Sequence, residues 1–202
     1  MTRSNPFATR FIRPGAIEYI FPPGQSAESL VAALRENQWV GEIVGPHGSG
    51  KSTLVAALVP ELKRAGRNVI RYVITPDAEN RTGCLAPPGA FAVLSRLPLE
   101  QDTQLILDGF ERISWWWRRR IQVHCRRRRA GLLVTAHQSV GLPLLVETRP
   151  TKQLAQQIVE RLVPAGDSTI SPADVQAAFA RCDRNLRETL FALFDVYQSR
   201  QI

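Results

Sequence analysis

Five short apolar runs are spread along the chain: Val40–Val44, Asn68–Thr75, Gln104–Asp108, Leu132–Thr135 and Leu144–Glu147. Each is rich in Val, Ile or Leu and too short for a helix, so each is read as a strand. Helical patterns separate most of them. Ser26–Trp39 carries Leu30, Leu34 and Ala33 on one stripe with Ser26 placed to cap it, and Ser52–Ala65 carries Leu54, Leu58 and Leu62 on one face before Gly66. Pro60 is expected to shorten or kink that second helix. After the Pro/Gly-rich Ala86–Ala90, a short helix is expected near Phe91–Leu97. Strands alternating with helices predict a five-stranded, mainly parallel sheet built from βα units, in the α/β class.

The two ends read differently. Met1–Gly24 is an irregular leader with turn signals at Asn5-Pro6, Arg13-Pro14-Gly15 and Pro22-Pro23-Gly24, and Ala16–Phe21 could form a short strand inside it. From Thr151 the pattern is wholly helical. Ser171-Pro172-Ala173-Asp174 is a strong helix start, and Leu186, Leu190, Leu193, Phe194 and Tyr197 form an apolar stripe. The expected organisation is a leader over 1–24, an α/β core over 25–150 and a small helical subdomain over 151–202.

Composition narrows the class without naming a function. A chain of 202 residues can bury one substantial core, and 44% hydrophobic with 22% charged residues is ordinary for a soluble globular protein. No apolar run reaches the ~18 residues of a membrane span. Met1–Gly15 lacks the apolar core and cleavage site of a secretory signal. Cys84, Cys125 and Cys182 are isolated from one another, as free thiols in a reducing compartment are, so the cytoplasm is the expected location. The net charge of +8 is concentrated: the eight arginines between Arg112 and Arg129, with no acid among them, account for all of it.

The most specific signal is Gly45-Pro46-His47-Gly48-Ser49-Gly50-Lys51-Ser52, followed by Thr53, which matches G-x-x-x-x-G-K-[ST] at every fixed position. Glycines let backbone N–H groups wrap a β-phosphate, Lys51 places a charge between the β- and γ-phosphates, and Ser52 offers a hydroxyl to Mg²⁺. The helix that follows turns its positive end toward the anion. A strand enters this loop and a helix leaves it, the context in which the motif binds a nucleoside triphosphate. A P-loop NTPase three-layer fold is therefore expected.

A second apolar strand, Leu105-Ile106-Leu107, ends in Asp108, the acid expected to hold Mg²⁺ in such proteins. Many ATPases place a Glu directly after it; here that position is Gly109, and Glu111 is the nearest substitute for polarising water. Asp108-Gly109-Phe110-Glu111 resembles the Walker B motif of NACHT and related STAND ATPases, relatives of the AAA+ group. Leu132-Leu133-Val134-Thr135-Ala136-His137 is similar to their later sensor strand, which implies that Thr135 or His137 lies beside the γ-phosphate. Asp183-Arg184-Asn185-Leu186-Arg187-Glu188 is similar to the Asn-Leu-Arg start of the AAA+ sensor-2 helix. That similarity implies a C-terminal helical lid with Arg187 reaching the nucleotide. The resemblance covers roughly Val40 to Tyr197, and no repeat domain of a full STAND protein is expected to follow. It implies Mg²⁺-dependent ATP binding and hydrolysis, in a switch or a motor. Asp108-Gly109-Phe110 with Arg112 also resembles the Asp-Gly-Phe-Pro-Arg of adenylate kinases, although Glu111 replaces the proline. A small P-loop kinase therefore stays open.

Trp115-Trp116-Trp117 among the arginines raises a nucleic acid, or an acidic protein or membrane surface, as the partner of Arg112–Arg129. Helical spacing places Ile113, Trp116, Trp117, Ile121 and His124 on one face, so at least two tryptophans are expected in the core. Self-association is left open by the sequence.

Overall fold

All five expected strands form, and every pairing between them is parallel. The computed structural model describes residues 5–75, 84–85 and 92–201; Phe91 and the Ala86–Ala90 stretch lie outside these. The strands are β1 (Val40–Val44), β2 (Asn68–Ile74), β4 (Thr103–Asp108), β5 (Gly131–Ala136) and β6 (Leu144–Glu147), and a two-residue β3 (Cys84–Leu85) makes a sixth, on the outer edge of β2. The sheet order is β3-β2-β4-β5-β1-β6. From β1 the chain passes to β2 on one side, and from neighbouring β5 it passes to β6 on the other. The connections thus diverge between β1 and β5, and in open α/β sheets the ligand crevice lies at the carboxyl ends of such strands.

Two compact units are distinguishable, one made of Pro23–Gly45 and Ala57–Glu147, the other of Met1–Pro22, Pro46–Ala56 and Thr148–Ile202. The first holds the sheet. In it α2 (Ala27–Glu36) starts on a capping box in which Ser26 and Ser29 satisfy each other's backbone N–H groups. The helix α3 (Lys51–Arg64) runs through Pro60 without being shortened, and it ends where Gly66, at φ +79°, lets the Arg67 N–H return to the Leu62 carbonyl. Residues 92–94 are helical, within the expected Phe91–Leu97 stretch. Glu42 is buried at the centre of β1, where its carboxylate accepts the Val140 and Leu142 N–H groups, at 2.9 and 3.3 Å. It thereby ties the loop between β5 and β6 to the sheet.

After β4, a 3-10 turn (Phe110–Arg112) leads into α4 (Trp115–Arg128). This helix corrects the expected aromatic core. Its buried row is Ile121 and Cys125, with Trp117 half-buried one turn earlier, packed with Phe110, Ile113, Leu105 and Val134. At about 100° per residue, Trp116 stands off that row, and Trp115 and Trp116 are exposed. Ile113 reaches the core from the preceding turn, out of phase with the helix, which is why spacing alone misplaced Trp116. Burial pushes the Cys125 thiol up to about 12, so it stays protonated and behaves as a small apolar side chain.

The second unit is helical: α5 (Lys152–Leu162), α6 (Pro172–Arg181) and α7 (Leu186–Ser199) start on Thr151, Ser171 and Asn185. Ser171 and Asp174 form the expected capping box, and the Arg200 guanidinium holds the Asp174 carboxyl well below the usual carboxylate range. The leader contributes a four-residue helix, α1 (Thr9–Ile12), and Phe7, fully buried edge-to-face against Tyr197 within the core of these helices. Ala16–Phe21 is not a strand; one bridge between Pro14 and Ile17 is all that forms. Pro14, Pro22 and Pro23 flank the stretch and lack the N–H donors a ladder needs. Among the described residues no helix is long and apolar enough to cross a membrane.

Candidate functional site

The phosphate loop adopts the backbone its glycines predict. Gly48 and Gly50 sit at φ +66° and +91°, in the left-handed region that other residues rarely enter, and α3 begins at Lys51. Gly48 has a second constraint: an added Cβ would fall inside the side chain of Asn185. Pro46 and His47 are exposed at the tip, whereas Ser49 and Lys51 are buried. The Ser49 hydroxyl is 2.6 Å from that of Thr148, and the Lys51 ammonium donates to the Pro46 carbonyl at 2.8 Å. That bond folds the lysine over its own loop. Ser52 and Thr53 follow half-buried in the first turn.

Asn185 belongs to the sensor-2-like stretch. Asp183 and Arg184 before it are both left-handed, at φ 49° and 61°, an uncommon conformation for such residues that turns the chain between α6 and α7. The Asn185 side-chain oxygen accepts the Arg187 and Glu188 N–H groups, so α7 starts where Asn185 meets Gly48. Arg187 is exposed on that first turn. Tyr19 of the leader packs beside Gly50, 3.8 Å from where a Cβ would stand.

The carboxyl ends of β4, β5 and β1 gather the remaining candidates. Asp108 is nearly buried, and its two oxygens are separately occupied. Thr135, fully buried on β5, donates to Oδ1 at 2.6 Å while accepting the Gly109 N–H at 3.0 Å. Arg71 of β2 donates to Oδ2 at 3.1 Å. The Thr135 hydroxyl is thus engaged with the acid and the turn that follows it. Gly109 is left-handed, at φ +88°, and a Cβ there would meet the Ile74 carbonyl at 2.9 Å. This explains why no Glu follows the acid directly: the next carboxylate, Glu111, comes three residues after Asp108, on the 3-10 turn. There Glu111 pairs with His137 (Oε1 to Nε2, 3.1 Å), and Nδ1 of His137 lies 3.3 Å from the Gly45 carbonyl. Both ring nitrogens therefore face acceptor oxygens, and which of them donates depends on the tautomer.

Arg71 and Glu42 are polar residues in the middle of β2 and β1 that sequence reading passed over. Arg71 interrupts an apolar strand, a detectable signal, but its partner lies 37 residues away on a neighbouring strand.

No protein-family model matches the chain, and no curated protein matches it by sequence. Solved structures do. A chain of C. elegans PCH-2 shares 12% identity at a TM-score of 0.45, with 91% of this chain and 71% of that one covered. A chain from the structure of Drosophila ORC bound to DNA shares 15% identity at a TM-score of 0.51, with 91% of this chain covered. The present chain spans 61% of that ORC chain. With the parallel sheet described above, the likeness to that ORC chain shows a shared α/β fold built on a mainly parallel sheet with helices.

Proposed function

We propose that this protein binds ATP with Mg²⁺ and hydrolyses it, in the manner of the STAND branch of the AAA+ group, to switch or drive a partner. The observation that carries this reading is the Gly45–Ser52 loop, with left-handed Gly48 and Gly50, a buried Lys51 and a helix opening directly behind it. Backbone N–H groups and Lys51 hold the phosphates, and Arg187 contributes a further positive charge. Ser52 and Asp108 are oxygen donors suited to Mg²⁺, which takes few protein ligands beside phosphate oxygens. The bound ion supplies charge neutralisation at the β- and γ-phosphates. Thr135 acts through Asp108, fixing its orientation. Glu111 accepts the proton of the attacking water, and His137 positions Glu111 from the end of β5. Free thiols at Cys125 and Cys182 accord with a cytoplasmic setting.

Phosphate release from MgATP is the direct test, run alone, with DNA or RNA, and with AMP as acceptor. Phosphate release without transfer to AMP is expected; ADP formation from AMP would make the protein a kinase instead. Arg71 supplies a finer check. Because its guanidinium occupies one Asp108 oxygen, Arg71→Gln is expected to lower the Mg²⁺ concentration needed for nucleotide-dependent thermal stabilisation by roughly 2- to 5-fold, the range of a partly exposed ion pair. A higher Mg²⁺ requirement would assign Arg71 to the nucleotide rather than to the acid.

The partner of this ATPase is sought on Arg112–Arg129, for which a nucleic acid and an acidic protein surface are the two chemistries that fit eight arginines without an acid.

A further inference from the structure

The outer face of α4 is unusual in what it leaves in water. Trp116 is 73% exposed, Trp115 57% and Val123 45%. At about 100° per residue, Trp116 and Val123 lie on one line along the helix, about two turns apart. Arg119 and Arg126 flank that line on one side, Arg120 and Arg127 on the other, and all four are exposed. The opposite side of the helix is already used, by Ile121 and Cys125 in the core. The outer face is therefore an apolar ridge between two rows of guanidinium groups. Trp115 and Trp116 stand edge-to-face at its N-terminal end, with ring centroids 4.6 Å apart.

We propose that this face docks single-stranded nucleic acid, with the arginine rows on the sugar–phosphate backbone and the exposed tryptophans stacked on bases. The proposal rests on the polyanion reading of Arg112–Arg129 and narrows it. A ridge of two indoles needs flat, unpaired partners, and single strands offer them at every residue. A duplex keeps its bases stacked on one another and presents a π-face only at its ends. An anionic membrane would satisfy the arginines, but an inserting face needs more apolar surface than two tryptophans and one valine provide. An acidic peptide would also pair with the guanidinium groups, leaving both indole rings without a planar partner. With nothing but arginine and indole in contact, recognition is of the polymer and not of a sequence.

The test is fluorescence anisotropy of a labelled oligo(dT) of about 20 nucleotides, without nucleotide present, at roughly 50 and 200 mM salt. Binding at the lower salt is expected, tighter than to a duplex of the same length. Trp115→Ala with Trp116→Ala should weaken it by about 10-fold or more while leaving the salt dependence unchanged. Replacing Arg119, Arg120, Arg126 and Arg127 by Gln should instead flatten the log–log salt slope by about 3 units. These side chains are solvent-facing, so unchanged melting temperatures are expected and show that the variants fold. Absence of oligo(dT) binding at low salt overturns the proposal, as does equal affinity for the duplex or an unaffected tryptophan variant. Tighter binding to phosphatidylserine vesicles or to polyglutamate would give the surface to a membrane or an acidic protein. Since no ATP is present, failure here leaves the hydrolysis reading intact, and failure of hydrolysis leaves this one intact.

Discussion

Lys51→Ala is expected to abolish the thermal stabilisation that MgATP confers on the wild-type protein. The ammonium sits on the Pro46 carbonyl and is nearly buried, so in the absence of ligand it satisfies the loop that would otherwise hold phosphate. Its loss costs the fold little, because Pro46 is exposed and water can replace the donor. With nucleotide present the balance reverses, since no other side chain of the motif carries positive charge between the β- and γ-phosphates. At ligand near 1,000 times Kd, binding stabilises the wild type by about 4 kcal/mol. For a chain of this size that corresponds to roughly 10 °C in Tm. The variant should melt with the wild type in the absence of ATP and show none of this shift in its presence. An equal shift in both proteins would remove the phosphate role from Gly45–Ser52.

Glu111→Gln is expected to slow hydrolysis by about 10² to 10⁴-fold with nucleotide binding retained, the signature of a lost general base. Glutamine keeps the size of the side chain and can still hydrogen-bond His137, so the turn at Phe110–Arg112 should persist. His137→Ala should lower kcat less than Glu111→Gln, because Glu111 then keeps its chemistry and loses only its orientation. The double variant should be no slower than Glu111→Gln alone, since both changes act on one step. Single-turnover phosphate release separates these outcomes. Unchanged turnover in Glu111→Gln would return the residue to a plain first-turn acid beside a histidine.

The parts of this molecule that could be read from its sequence are those whose cause is local. Strands β1, β2, β4, β5 and β6 announce themselves as apolar runs, most clearly β4 and β5, which the sheet buries completely. The Ser171 capping box and the Gly48 and Gly50 conformations depend on residues only a few positions apart. What stayed hidden depends on partners distant in the chain. The two residues of β3 carry no periodicity, and they are a strand only because the edge of β2 is there to pair with. Arg71 and Glu42 look like interruptions of apolar strands until the sheet brings Asp108 within reach of one and the loop at Val140 within reach of the other. Phe7 gives no hint in an irregular leader that it will be enclosed by helices near the other end of the chain. In the site itself, the acid and the phosphate loop could be read residue by residue. The engagement of Thr135 with Asp108, and of His137 with Glu111, could not.

The left-handed turn at Gly109 bears on how chains like this one are to be aligned. A glutamate cannot simply replace this glycine, because its Cβ would press on the Ile74 carbonyl while its backbone sat in a disfavoured region. A chain with Asp-Glu at the end of the same strand must follow a different backbone path there, with the following turn displaced as a whole. The column holding Gly109 in one sequence and Glu in another would then equate residues that do not occupy the same place, and Glu111 would be matched to a position of unrelated geometry. Search patterns keyed to adjacent acids pass over the Asp-x-x-Glu spacing, in which the intervening Gly-Phe pair supplies the bend and the buried anchor at Phe110. Relatives of this protein are better sought by that four-residue unit, taken together with a histidine two positions beyond a buried threonine, than by either acid alone.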